Sequence, residues 1–280
     1  MIGILTRPRW MLYLVLAMIF AVAAVWLGQW QYGRHEARVE RRDTIEANYG
    51  ADPVPLTAVL TGADDAFEAS DDWTRVEVTG RYLPEDQLLV RNRPYRSVFG
   101  YEVLVPFEVD ALGPGAADLL VNRGWVENAR NAATLPEVPE PPTGEVTITG
   151  WLRPSEEDLG RDLPVGQVAS INLPVAEEAS GDQLFDAYLA LESEAAGAPV
   201  QTRPAQADPP DTGLGTNFAY ALQWWLFSPI GVVLVVVMAR REARDEADAD
   251  PDTFGRPTLA PATVGARKKR IWDEEDYEEP

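Results

Sequence analysis

Residues Met11–Tyr32, MLYLVLAMIFAVAAVWLGQWQY, carry no charge and are almost wholly apolar. A second run, Thr212–Ala239, TGLGTNFAYALQWWLFSPIGVVLVVVMA, repeats that character near the other end of the chain. A helix needs roughly 20 residues to cross a bilayer at about 1.5 Å per residue, so each run is long enough. The residues between them are polar, punctuated by proline and patterned like β-strands. The reading is a membrane hairpin displaying one folded domain. Its parts are an N-terminal segment at 1–9, a transmembrane helix at 10–33, a β-rich domain at 34–215, a second helix at 216–239 and a tail at 240–280.

The flanks suit membrane boundaries. Arg9 and Arg34 bracket the first run, with Trp10 and Tyr13 at one end and Trp26, Trp30 and Tyr32 at the other, as in interfacial aromatic belts. A cleaved signal peptide is the alternative: Arg7 and Arg9 would form its basic start and Ala21-Val22-Ala23 its cleavage site. The apolar run continues through Leu27, which favours an uncleaved anchor. Within the second span, Phe218–Met238, Pro229 denies the Trp225 carbonyl its usual helical donor, so a kink is predicted there. Arg240, Arg241 and Arg244 directly follow this span and only Arg203 precedes it nearby. That asymmetry predicts both termini in the cytoplasm of a cell with the domain outside its plasma membrane.

Composition removes several function classes. Over 280 residues the net charge is −21, the opposite of the cationic face that nucleic acid requires. Cysteine is absent and histidine occurs once, at His35. Disulfides, thiolate metal sites and cysteine nucleophiles are therefore excluded, and histidine-based triads and multi-histidine metal sites nearly so. No phosphate-binding glycine loop, zinc-binding helix or nucleophile elbow is present, so the chain reads as a non-enzyme with no metal. The tail from Asp245 is acid-rich and is predicted disordered, with Arg267-Lys268-Lys269-Arg270 as a solvated charge cluster or a lipid-headgroup contact.

Within the domain, period-two alternation predicts strands at Arg75–Tyr82, Gln87–Arg91, Tyr101–Val109, Leu119–Val126 and Val146–Leu152. Pro106 should place its strand at an edge or a bulge. Val76-Glu77-Val78-Thr79-Gly80 and Val146-Thr147-Ile148-Thr149-Gly150 echo each other. Helix is predicted at Arg34–Asn48 and at Asp182–Leu191, and linkers at Pro136–Gly144 and Ala195–Gly215. The expected fold is a mainly antiparallel β (α+β) extracytoplasmic domain, barrel-like or an open sheet.

Trp26-Leu27-Gly28-Gln29-Trp30-Gln31 followed by Arg34 resembles the end of the first transmembrane helix in the Surfeit locus protein 1 family of cytochrome c oxidase assembly factors. Further pieces match in order: Val78-Thr79-Gly80, Gly100-Tyr101-Glu102-Val103 with Pro106, Val121-Asn122-Arg123-Gly124-Trp125-Val126 and Thr149-Gly150. Asn217-Phe218-Ala219-Tyr220-Ala221-Leu222-Gln223-Trp224 completes the series, so the resemblance runs from about residue 10 to 244. It implies a chaperone-like role in complex IV biogenesis, at the step where haem a reaches oxidase subunit I, with subunit I and the haem a delivery machinery as partners. A membrane-tethered binding or sensory module unrelated to respiration is the alternative, and a hydrolase with an unrecognised carboxylate site a third.

Some bacterial members resemble haem a binders whose ligand is a histidine at the outer end of the second helix. Asn217 stands there in this chain, and an amide is a poor axial ligand. His35, just past the outer end of the first span, is the substitute that a hairpin would bring to the same level, with Arg34 or Arg38 to pair propionates. Trp30, Tyr220 and Trp224 complete the candidate haem contacts, although the tryptophans here, with Trp26 and Trp225, equally suit a plain interfacial belt. Gly28, Gln31, Gln223, Arg123 and Trp125 are the candidate helix-pair or partner contacts. For Gln31 and Gln223 the simpler role is a hydrogen bond within the helix pair, and for Arg123 it is cover for an aromatic ring. Gly80, Gly100, Gly124 and Gly150 are expected at turns, bulges or close strand approaches.

Overall fold

The computed structural model describes residues 2–113, 115–129, 134–196 and 202–248. The acidic tail beyond 248, with its Arg267–Arg270 cluster, and part of the Ala195–Gly215 linker lie outside these described residues. The helices are α1 (Ile2–Leu5), α2 (Pro8–Asn48), α3 (Leu173–Ser180), α4 (Asn217–Phe227) and α5 (Ile230–Asp248). The strands are β1 (Val54–Pro55), β2 (Arg75–Tyr82), β3 (Leu88–Tyr95), β4 (Val98–Val109), β5 (Asp118–Glu127), β6 (Val146–Pro154), β7 (Gln167–Val168) and β8 (Leu184–Ala196). The chain divides into two compact units. One comprises the residues up to Gly28 and those from Leu222 on, and the other is Gln29–Ala221.

The first unit is a helix pair. Among the described residues two helical stretches, Pro8–Asn48 and Asn217–Glu246 (α4 with α5), are long and apolar enough to cross a membrane, and only 17% and 6% of their most apolar windows are buried. Such exposure separates them from core helices of a water-soluble domain, whose apolar faces are covered. They meet through small residues. A Cβ on Gly28 would collide with the Trp225 indole, and a Cβ on Gly231 would already touch the Ala17 methyl at 3.5 Å. Between α4 and α5 the helix breaks at Ser228-Pro229, where the sequence predicts a kink, and the Ser228 hydroxyl donates to the Ala21 carbonyl at 3.3 Å. At the far end Trp10 and Ala239 are buried together, Arg7 pairs with Glu242 at 2.9 Å, and Arg9 pairs with Glu242 too.

The second unit is built on an eight-stranded sheet in the order β1-β2-β6-β8-β5-β4-β3-β7. Most ladders are antiparallel, but β5–β8, β1–β2 and β3–β7 are parallel, so the sheet is mixed. β1 and β7 are its outer strands, and a short ladder of β2 on β4, Gly80↔Val109 to Tyr82↔Phe107, links its two halves. The expected alternatives thus resolve to a mixed sheet with outer strands and an internal cross-link.

Pro106 lies neither at an edge nor at a bulge, correcting the sequence expectation. It sits where β4 leaves its ladder with β3 at Leu104 and takes up β2 at Phe107, a gap in which the missing N–H goes unnoticed. The two echoing pentapeptides pair with each other: Val76↔Gly150, Val78↔Ile148 and Gly80↔Val146. An antiparallel ladder has a local two-fold axis, so similar strands can meet themselves, here with Thr79 and Thr147 hydroxyls bonded at 3.0 Å.

Asp182–Leu191 is strand β8 rather than helix. Phe185, Ala187, Leu189 and Leu191 face the main core, while Leu184 and Tyr188 face a second core under α3. A strand buried on both faces reads as continuous apolar sequence, which period counting cannot separate from a helix. α3, absent from the sequence expectation, begins at Asn172, whose side chain accepts from Val175 N, and ends at Gly181 in the left-handed conformation. The last turns of α2 are fastened to the sheet by aromatics. Tyr49 stacks on Trp151 at 4.5 Å, and the Trp151 indole donates to the Tyr49 carbonyl at 3.0 Å.

Candidate functional site

Two places in the Gln29–Ala221 unit concentrate polar chemistry. The first is the His35 face of α2. Gln31 and His35 stand four residues apart, hence on one face of the helix. The His35 ring packs 5.1 Å from Phe218 and 6.2 Å from Tyr32. Phe218 follows Asn217 at the start of α4, so His35 lies beside that end of the helix. Three buried atoms here lack a hydrogen-bond partner among the described residues: Gln31 Oε1, His35 Nδ1 and Asn217 Nδ2. Burying an unpaired polar group is costly, which sets this face of α2 apart from the apolar run before it.

Beside it runs an open groove of about 820 Å³, lined by Tyr32, His35, Glu36, Val39, Glu40 and Asp43 among others. Arg34 is exposed, with its guanidinium 5.2 Å from the Trp30 ring centre. Trp30 and Tyr220 are each about half exposed. These residues fit a haem on one count, an imidazole beside unpartnered polar atoms. They fail on two: the groove is open, and Glu36, Glu40 and Asp43 would repel propionates. Among the described residues this groove forms no enclosed haem pocket. Gly28, Gln223 and Trp224 belong to the helix-pair unit. Gly28 accepts the Trp225 ring against its backbone, Trp224 meets Phe227 edge-on at 6.4 Å, and Gln223 is exposed.

The second place is the interior of the sheet. Leu119, Val121 and Arg123 share one face of β5, so the alternation that buries the first two carries Arg123 inward to 1% exposure. The ladder with β4 skips from Asn122 to Gly124, making Arg123 the extra residue of a bulge. Its guanidinium donates to Glu194 Oε1 at 3.1 Å and to the Pro139 carbonyl at 2.8 Å, and lies 5.3 Å from the Tyr82 ring centre. Tyr82 donates its hydroxyl to Glu194 Oε2 at 2.9 Å. Burial, and then the Glu194 charge, push the Tyr82 phenol well above its ordinary pKa. Arg123 therefore covers an aromatic ring as the alternative reading held, and the ring is Tyr82. Buried this way, it offers no docking surface, which corrects its place among the partner contacts. Trp125 stays partly exposed and donates its indole N–H to the Arg93 carbonyl at 2.8 Å.

A partly buried group lies on the other side of the sheet. Arg93 pairs with Glu102 at 2.8 Å and also with Glu156, and burial raises the Glu102 carboxyl above its ordinary range. Sequence reading missed Tyr82, Arg93, Glu102, Glu156 and Glu194. The available signal was a charged or hydroxylated residue in phase with inward apolar positions, as Tyr82 is with Val76 and Val78.

With both spans and the sheet in view, the family comparison is decisive: residues 18–229 match the model of the SURF1 family. The chain belongs to the SURF1 family. A SURF1-like protein of Mycobacterium tuberculosis is 33% identical over 273 residues, covering 94% of either chain. The cytochrome oxidase assembly protein SHY1 of Saccharomyces cerevisiae is 27% identical over 123 residues, 42% of this chain and 30% of its own. A SURF1-like protein of Monosiga brevicollis is 32% identical over 114 residues, 37% of this chain and 41% of its own. In this SURF1 family member the matched region takes in much of the first apolar run, the whole sheet and α4.

Proposed function

We propose that the protein is a non-enzymatic assembly factor for a membrane haem–copper (cytochrome c) oxidase. The observation that carries this reading is the family match across residues 18–229, joined by the similarity to a yeast cytochrome oxidase assembly protein. Two apolar helices with exposed faces support a place in the cell membrane, and the arginines after the second run favour the domain at 34–215 outside and both termini in the cytoplasm. The assisted step is the arrival of haem a at oxidase subunit I, with subunit I and the haem a delivery machinery as partners. His35 is the residue that touches haem. Its unpartnered Nδ1, and the want of an enclosed pocket, suit a passing contact better than a resident cofactor. Arg34, Trp30 and Tyr220 flank that contact. Gly28, Gln31, Gln223 and Trp125 serve helix-pair and partner contacts.

The test is a chromosomal deletion, with complementation by the parent chain and by His35→Ala. Loss of the haem a absorption band and of oxidase turnover, with other membrane dehydrogenases intact, is the expected outcome. A deletion strain with an unchanged oxidase spectrum and turnover would refute the assembly reading. Full rescue by His35→Ala would leave assembly standing and remove the haem contact. Subunit I should co-purify with the tagged chain, which a sensory module unrelated to respiration would not retain.

A further inference from the structure

We propose that the β3–β4 hairpin tip, Tyr95–Phe99, inserts into the headgroup layer of an anionic lipid surface. This chain carries a net charge of −21, yet residues 87–101 contain Arg91, Arg93 and Arg96 and no acid until Glu102. Arg93 is consumed by Glu102 and Glu156. Arg91 and Arg96 have no carboxylate within ion-pair distance among the described residues. Instead they lie against rings, Arg96 at 5.0 Å from Tyr95 and Arg91 at 6.0 Å from Tyr101. At the tip, Val98 is 43% and Phe99 59% exposed. A phenylalanine and a valine left in water beside two unpaired arginines and a tyrosine reproduce the chemistry of a membrane-interface belt.

The tip is held in shape. Arg96 and Ser97 both adopt positive φ, 47° and 68°, which forms a two-residue turn in a conformation glycine or asparagine would fill more easily. Underneath, the Trp125 ring packs 5.2 Å from Tyr95, donates to the Arg93 carbonyl and occupies the space a Cβ on Gly100 would need. A protein partner would have to bury roughly 800 Å² per side. Two exposed apolar side chains on a narrow turn supply a small part of that, whereas lipid insertion of a tethered domain needs no such area, because anchoring already provides a high effective concentration. The inference rests on the chain being membrane-anchored and is independent of the oxidase reading.

The chain lacks cysteine, so Ser97→Cys in the full-length protein gives a single site for an environment-sensitive dye. Nanodiscs of phosphatidylglycerol or of phosphatidylcholine then provide the two surfaces, and co-elution of protein with disc checks the anchoring itself. In phosphatidylglycerol the dye should shift to the blue and be quenched by spin-labelled lipid chains. The double variant Arg91→Gln/Arg96→Gln should lower the inserted fraction by on the order of tenfold or more. Phe99→Ser/Val98→Ser should abolish the shift. A dye that remains accessible to iodide in both lipids overturns the proposal while leaving the anchor intact. Protection that arises only on adding oxidase subunit I also overturns it, and would assign the tip to a protein partner.

Discussion

At the scale of single residues, the centre of the sheet is a fully buried ion pair. Arg123 and Glu194 have side chains with 0% exposure, so each has given up water for the other. Removing one partner leaves a buried charge uncompensated, which costs about 3–5 kcal/mol. Arg123→Ala should therefore lower the thermal midpoint of the purified protein by roughly 6–20 °C. Arg123→Met with Glu194→Met should recover part of that loss, but not all. Tyr82, Arg203 and the Pro139 carbonyl also bond into this pair and would lose a partner. A midpoint for Arg123→Ala within a degree of the parent would show that water reaches the pair. Asp118, at the start of β5, offers a second residue-level test. Burial first, and then Asp182, Glu108 and Asp86, raise its carboxyl from 3.8 to about 6. Because the folded pKa is the higher one, the native state holds the extra proton between about pH 4 and 6, and stability falls as pH rises through that window. Asp118→Asn should raise the thermal midpoint at pH 7.5 and change it little at pH 4.5. Equal effects at both pH values would trace the change to packing.

At the scale of elements, close approach decides more than propensity does. In the helix-pair unit Gly28 leaves room for the Trp225 indole, and apolar lipid gives helices no hydrophobic reason to associate, so contact depends on such fit. Gly28→Leu should part α2 from α4 and reduce complementation of an oxidase-deficient deletion strain several-fold, whereas Gly3→Leu, where a Cβ meets nothing, should have no effect. Normal complementation by Gly28→Leu would deny the contact any role. The same principle governed what the sequence revealed. β2 was legible to both of its ends because one face is buried and the other wet, so burial alternates residue by residue along it. β8 was not, since burial on both faces erased that alternation. α3 carried clear punctuation in Asn172, Pro174 and Gly181, but its eight residues were too short for helical periodicity to show. Parallel pairing of β5 with β8 depends on a crossover through β6, β7 and α3, which no local pattern records. At the candidate site, His35 stood out as the sole histidine. Its neighbours Gln31 and Asn217 became a cluster only once α4 was placed against it.

At the scale of the whole chain, the proposed orientation follows from where the arginines lie. Arg240, Arg241 and Arg244 follow the second apolar run directly, and long domains cross a membrane largely regardless of their own charge. The first run is ambiguous by comparison, with Arg7 and Arg9 on one side and Arg34, Arg38, Arg41 and Arg42 on the other. The continuous α2 helix removes part of that ambiguity. The latter arginines lie on a helical extension whose last turns are fastened to the sheet by Ile45 and Tyr49, so they travel with the domain. Treatment of wall-stripped intact cells with protease should then cut between residues 34 and 212, with the linker 136–144 as the preferred target, and should leave an epitope on the C-terminal tail uncut until lysis. Loss of that epitope before lysis would reverse the orientation and remove the domain from the outer face. A mature N-terminus at Ala24 would instead identify the first run as a signal peptide. It would also remove Trp10 and Arg7, and with them the contacts that join the start of α2 to α5.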